Sequence, residues 1–153
     1  MDTVTYPTPA VSEFIQHNMI PVRIVSDQDN RSIFITFEIG WTPTLITLDK
    51  DGKEHFRTVG FLRPEPLIAS LMLGIGKIHF DRREYKEAIS ELDKLVAQYP
   101  KTVFAPEAVY YRGVAGSKAT NDLKPLKEAY GKLSAEYPTS EWTERAYPYS
   151  LLK

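Results

Sequence analysis

The sequence predicts an α+β chain: a small sheet with short helices over residues 1–66, then an all-α array of helical hairpins over residues 67–153. Three observations carry this prediction. Two short strand-like runs, Leu45–Leu48 and Glu54–Val59, flank Asp51-Gly52, a dipeptide suited to closing a β-hairpin. Residues 67–80, LIASLMLGIGKIHF, are apolar almost all round, which demands a helix buried on several sides. The segment AQYPKTVFAPEAVYY (97–111) returns 38 residues later as AEYPTSEWTERAYPY (135–149), an internal repeat.

Composition narrows the function classes. At 153 residues, with 42% hydrophobic and 25% charged, the chain is long and apolar enough to bury a core. A net charge of −1 gives no electrostatic reason for a nucleic-acid or anionic-membrane partner. No apolar run approaches the roughly 20 residues of a membrane span. The start, MDTVTYPTPA, lacks a basic and then apolar leader, so a cytoplasmic location is expected. The absence of cysteine excludes disulfides, a thiolate metal site and a cysteine nucleophile within this sequence.

Along the first half, Val11, Phe14 and Ile15 at i, i+3, i+4 predict a helix over 11–18. Residues 21–25, PVRIV, are β-branched and predict a strand; SDQDN (26–30) is a loop. Residues 31–39 hold Ile33, Phe34, Phe37 and Ile39, compatible with helix or strand; helix is preferred because both neighbours are strands. Leu45–Leu48 is the next strand, and Asp51-Gly52 predicts a two-residue type I′ turn. The return strand, Glu54 to Val59, is expected to put Phe56 and Thr58 on one face and His55, Arg57 and Val59 on the other, with Gly60 ending it.

The elements MDTVTYP, IPVRIV, WTPT and LDKDGKEHFRTVGF, in this order and spacing over residues 1–62, resemble the thioredoxin fold family. The resemblance implies a cis Thr42-Pro43 bond at the start of the hairpin, beside the position of a redox C-x-x-C, with flanking backbone that accepts an extended substrate. It also implies that a strand and the C-x-x-C precede Met1. That strand would lie between the one at 21–25 and the one at 45–48. Without it, two rows of backbone groups need other partners. A rearranged sheet, recruitment of DTVTY (2–6) as a strand, or pairing with a second copy is expected.

In the second half, Pro64 and Pro66 suit a first helical turn. Helices are expected over 64–80, 84–98, 104–118, 122–136 and 140–147, with caps near Lys101-Thr102 and at Ser140 with Thr143. Gly76, Tyr85, Ala88, Leu92 and Pro100, followed by Gly113 and Pro138, resemble the tetratricopeptide (TPR) pattern. Small residues there let paired helices approach closely, and the prolines end the second helix of each pair. Two repeats and a terminal helix are few, so the array is expected to lean on the first half through helix 67–80, or on another chain.

Candidate chemistry is sparse. His17, His55 and His79 have no metal-like spacing and are expected in surface or packing roles. Asp49, Asp51 and Glu54 are explained by the turn. GIGKIH (74–79) lacks the full phosphate-loop pattern and sits within a helix. No catalytic residue, metal or cofactor is expected. Tyr110, Tyr111 and Arg112 are candidate peptide contacts, because Tyr and Arg are favoured in binding hot spots; one of the tyrosines is expected in the core. Trp41, Thr42 and Pro43 are a second candidate binding element, with core packing the first expectation for Trp41. The sequence thus points to a non-catalytic protein–protein interaction module with a protein or peptide partner, or a second copy, and with no nucleic acid or membrane. The alternative is the C-terminal part of a thiol-disulfide oxidoreductase.

Overall fold

Helix α3, Pro64–Asp81, is the hub of the molecule. The computed structural model describes residues 1–152. Ahead of α3 come α1 (Pro9–Asn18), α2 (Arg31–Thr36) and a two-stranded antiparallel sheet of β1 (Thr44–Leu48) and β2 (Glu54–Val59). After it come α4 (Tyr85–Gln98), α5 (Ala105–Thr120), α6 (Lys124–Glu136) and α7 (Glu141–Ala146), closed by a 3₁₀ segment, Tyr147–Leu151. The chain is therefore α+β. Every residue from Leu67 to Gly74 is buried, as its unbroken apolar run requires. That burial is shared among α1, β1, β2, α4 and α5, all of which pack on α3. Leu67 and Leu73 are fully buried, and each such side chain stabilises the fold by about 1.5–3 kcal/mol. One core cluster joins Val11 of α1, the α3 residues, Leu92 and Leu95 of α4, Phe104 just before α5, and Ala105 and Ala108 of α5, with Leu45 and Phe56 of the sheet packed against it.

The helices repeat in local detail. Arg83 and Asn121, 38 residues apart, adopt φ of +63° and +55° where the turns leave α3 and α5. Tyr99 and Tyr137, also 38 apart, end α4 and α6 with nearly the same backbone angles, and each amide donates to a leucine carbonyl four residues back at 2.8 Å. Close approach explains the glycines: a Cβ on Gly76 would meet Leu92 of α4 at 2.8 Å, and one on Gly113 would overlap the Ala129 methyl of α6. Ser140 caps α7, its Oγ accepting from the Trp142 amide at 3.2 Å. Thr102 makes no such cap; its hydroxyl donates to Tyr99 O.

Three expectations for the first half are corrected. Residues 21–25 are not a strand. They are solvent-exposed, and no strand lies beside them to complete a ladder. Residues 2–6 are not a strand either: they form turns in which Met1 O accepts from the amides of Val4, Thr5 and Tyr6, while the buried Thr5 hydroxyl donates to Leu62 O. The hairpin turn is not type I′, which needs positive φ at two residues. Only Gly52 has it (+79°), in a turn closed by the Gly52 amide on Asp49 O at 3.0 Å. Asp49 Oδ1 accepts from the amides of Asp51 and Lys53, both at 3.0 Å, so Asp49 serves the turn as expected, whereas the Glu54 carboxylate pairs with Arg57 of β2. Thr47 faces Phe56 but Leu48 faces Glu54, so β2 carries a bulge at His55. The bulge overturns the alternation expected for β2. His55 and Phe56 both reach helical partners, His55 at Asp81 and Phe56 at Lys77 and Phe104.

Candidate functional site

Helix α5 lies between α3 and α7 and contacts both, forming one layer, and α4 and α6 pack on them from the other side. The α3–α5–α7 layer carries a continuous aromatic strip. Phe80 meets Tyr111 edge-on at 5.1 Å between centroids; Tyr111 and Tyr110 meet Trp142 at 5.8 and 5.1 Å; Tyr110 stacks on Tyr149 at 5.8 Å. Phe80, Tyr110, Tyr111, Trp142 and Tyr149 are all half-buried, so each ring is fixed by neighbours yet keeps a solvent-facing part. The expectation that one of the two tyrosines is core is corrected, since both sit in this strip.

Cations are set into the strip. Lys77 Nζ lies 4.7 Å from the Tyr111 ring centroid and 5.0 Å from that of Phe56, and it donates to Glu107 Oε1 at 2.7 Å. Arg145 lies 4.7 Å over the Trp142 ring. The Tyr149 hydroxyl donates to the Tyr110 hydroxyl at 3.0 Å, and burial, then this bond, push the Tyr149 phenol up from its ordinary value. At neutral pH the strip therefore presents neutral rings and hydroxyls, with charge confined to paired or stacked groups.

Arg112 lies elsewhere. At about 100° per residue it projects about 200° away from Tyr110. Its Nε donates to Asp93 Oδ1 of α4 at 3.0 Å, and it lines a cavity of about 350 Å³ with Val109, Glu128 and Lys132. The Tyr110-Tyr111-Arg112 run thus serves two faces. Trp41 and Thr42 line a third site, a groove of about 270 Å³ with Ser26, Phe34, Ile39 and Gly40. The Thr42-Pro43 peptide is cis, as expected, and both residues are exposed. Trp41, just before β1 begins, is 70% exposed, so its expected core packing is corrected.

The structure also builds a polar clamp. His55, only 1% exposed at its side chain, places Nε2 3.0 Å from Asp49 Oδ2 and Nδ1 2.7 Å from Asp81 Oδ2. With both ring nitrogens engaged, His55 ties the hairpin turn to the end of α3. The His55 bond is the largest cause holding the Asp49 carboxyl down at about 2, followed by the Lys53 amide. His79 pairs with Glu84 at 2.7 Å and lowers that carboxyl below its ordinary range, whereas the exposed His17 meets Glu13 O of its own helix. Among the described residues no cluster of three or more His, Asp or Glu has a metal-binding arrangement, and no helix is long and apolar enough to cross a membrane.

Phe80, Trp142, Tyr149 and Lys77 belong to the strip but were not singled out from the sequence. The usable signal was the 38-residue repeat, which aligns Phe104 with Trp142 and marks the first helix of each unit as one face. No model of a known protein family, no curated protein and no solved structure matches the chain.

Proposed function

We propose that this chain is a non-catalytic protein–protein interaction module that holds an extended peptide or a partner surface along the aromatic strip of α3, α5 and α7. The observation that carries this reading is the strip's continuity: rings from three separate helices meet at 5.1–5.8 Å while keeping exposed surface. Rigid Tyr and Trp rings supply contact area at low entropic cost and dominate binding hot spots. The helical half is read here as an array of the TPR kind, on its 38-residue period and two-layer packing. Binding is expected to occur without catalysis, since the strip's ionisable groups are spent on one another. The test is selection of peptides from a displayed random library against the full chain, with counter-selection on Trp142→Ala. Enrichment of sequences that bind the wild-type chain and not the variant supports the site. Enrichment indifferent to Trp142 removes it.

A second reading takes residues 1–66 as part of a thioredoxin-like unit and the chain as the C-terminal part of a thiol-disulfide oxidoreductase. The Trp41–Thr42 groove at the entrance to the hairpin favours it. The genomic sequence ahead of Met1 tests it: an in-frame strand followed by C-x-x-C is its expectation, and any other coding context removes it.

A further inference from the structure

The two-stranded sheet has two open edges, and they differ. The Gly60 amide donates to Pro43 O at 2.8 Å, so Pro43 and Gly60 are a hydrogen-bonded pair. The register then makes Leu45 with Thr58, and Thr47 with Phe56, the next bonded pairs. Alternation turns the amides and carbonyls of Thr44, Ile46 and Leu48 away from β2, and among the described residues β1 has no other strand beside it. The outer edge of β2 is guarded: it carries the bulge at His55 and the charged Glu54 and Arg57. Bulges and charges are the devices that keep edges from pairing. The β1 edge, Thr-Leu-Ile-Thr-Leu, has no charge, no proline and no bulged residue of its own.

We propose that β1 pairs with β1 of a second copy, antiparallel, about a twofold axis at Ile46. The outward-facing residues are spaced symmetrically about Ile46. Thr44 therefore matches the partner's Leu48, Ile46 matches the partner's Ile46, and Leu48 matches the partner's Thr44. Each match is a bonded pair in which two N–H groups meet two carbonyls, so every outward group of one strand is satisfied by the other. A slip of one residue would set inward-turned groups across the axis and lose these bonds. A foreign strand could meet the same backbone groups. A second copy is favoured because its edge has the same length and the same symmetric spacing, and one contact satisfies both chains.

The edge alone is small against the roughly 1,200 Å² of a stable interface. Exposed apolar groups close to it extend the surface. Trp41, 70% exposed, sits just before the strand, at the end that in this register meets the partner's Leu48 and the hairpin turn beyond it. Ser26 shares a groove with Trp41 and Thr42, so the exposed segment carrying Val22 (78%), Ile24 (38%) and Val25 (55%) ends beside the chain that enters β1. The surface is separate from the aromatic strip and stands whether or not that strip binds peptides.

The test exploits the lack of cysteine in the sequence. A bonded pair holds its Cα atoms about 5.5 Å apart, within disulfide reach. Ile46→Cys is expected to give a covalent dimer under mild oxidation, and Val59→Cys on the exposed end of β2 is the control expected to stay a monomer on denaturing gels. Light scattering of the unmodified chain over a concentration series is expected to show twice the 17.5 kDa chain mass. Leu48→Lys, at a solvent-facing edge position, is expected to halve that mass with the far-UV spectrum kept. A monomer at every concentration overturns the proposal. So does a dimer that survives Leu48→Lys, or one in which Val59→Cys crosslinks as readily as Ile46→Cys.

Discussion

His55 shows what single residues contribute that spacing along the chain does not announce. A histidine in a strand between Glu54 and Phe56 reads as one side of a simple alternation. The bulge in β2 turns it inward beside Phe56, where Asp49 and Asp81 take both ring nitrogens. Replacing it with alanine removes the partner of the nearly buried Asp49 carboxylate and unties it from the half-exposed Asp81, and His55→Ala is expected to cost about 1–3 kcal/mol in urea unfolding at neutral pH. The pH dependence has a definite sign. Asp49 is held at about 2, below the 3.8 of the unfolded chain. Its contribution is complete above about 4 and is lost as the pH falls toward 2. Urea midpoints of the wild-type chain are expected to fall across that window. In His55→Ala the fall is expected to be shallower; an equal fall in both would show that this pair does not set the acid response.

At the scale of elements, the glycines separate packing from propensity. Gly113 lies where α5 crosses α6, and a methyl there would overlap that of Ala129. Gly113→Ala is expected to lower stability by about 1–3 kcal/mol, because neither backbone can retreat freely. Gly131, in the same helix as Ala129, has nothing within 4 Å of an added Cβ. Gly131→Ala is expected to raise stability by roughly 0.5–1 kcal/mol through helix propensity alone. Thermal melts of both variants check the pair, and a shared sign would contradict the packing account. Helix positions were legible because the 3.6-residue periodicity, the prolines and the repeat agreed, so the five helices from Pro64 onward fall close to expectation. The 21–25 segment was misread for a physical reason. Strand propensity describes a residue's fit to a sheet, and it cannot supply the neighbouring strand.

At the scale of the whole molecule, α3 makes the sheet and the helical hairpins depend on one apolar column. Leu73→Ala is expected to cost about 2–5 kcal/mol and to leave a single transition. Trp41 beside the sheet and Trp142 in the last helix provide fluorescence to set against the helical circular dichroism. Coincident curves are expected; a Trp41 signal lost well before helicity would show that the two halves melt apart. The mixed architecture and the burial of residues 67–74 were legible in the sequence. The aromatic strip was legible only in part, because its rings come from helices whose layering depends on packing rather than on spacing along any one of them.

Tyr111 and Arg112 are adjacent in sequence and project onto different faces of α5, which makes them the sharpest probe of the binding account. The decisive measurement is calorimetric titration of one selected peptide into the wild-type chain, Tyr111→Ala and Arg112→Ala, each verified as folded. A loss of at least about tenfold in affinity is expected for Tyr111→Ala, the scale of a hot-spot residue, with Arg112→Ala close to wild type. Undiminished binding by Tyr111→Ala, or a loss confined to Arg112→Ala, would contradict the assignment of the aromatic strip as the interaction surface.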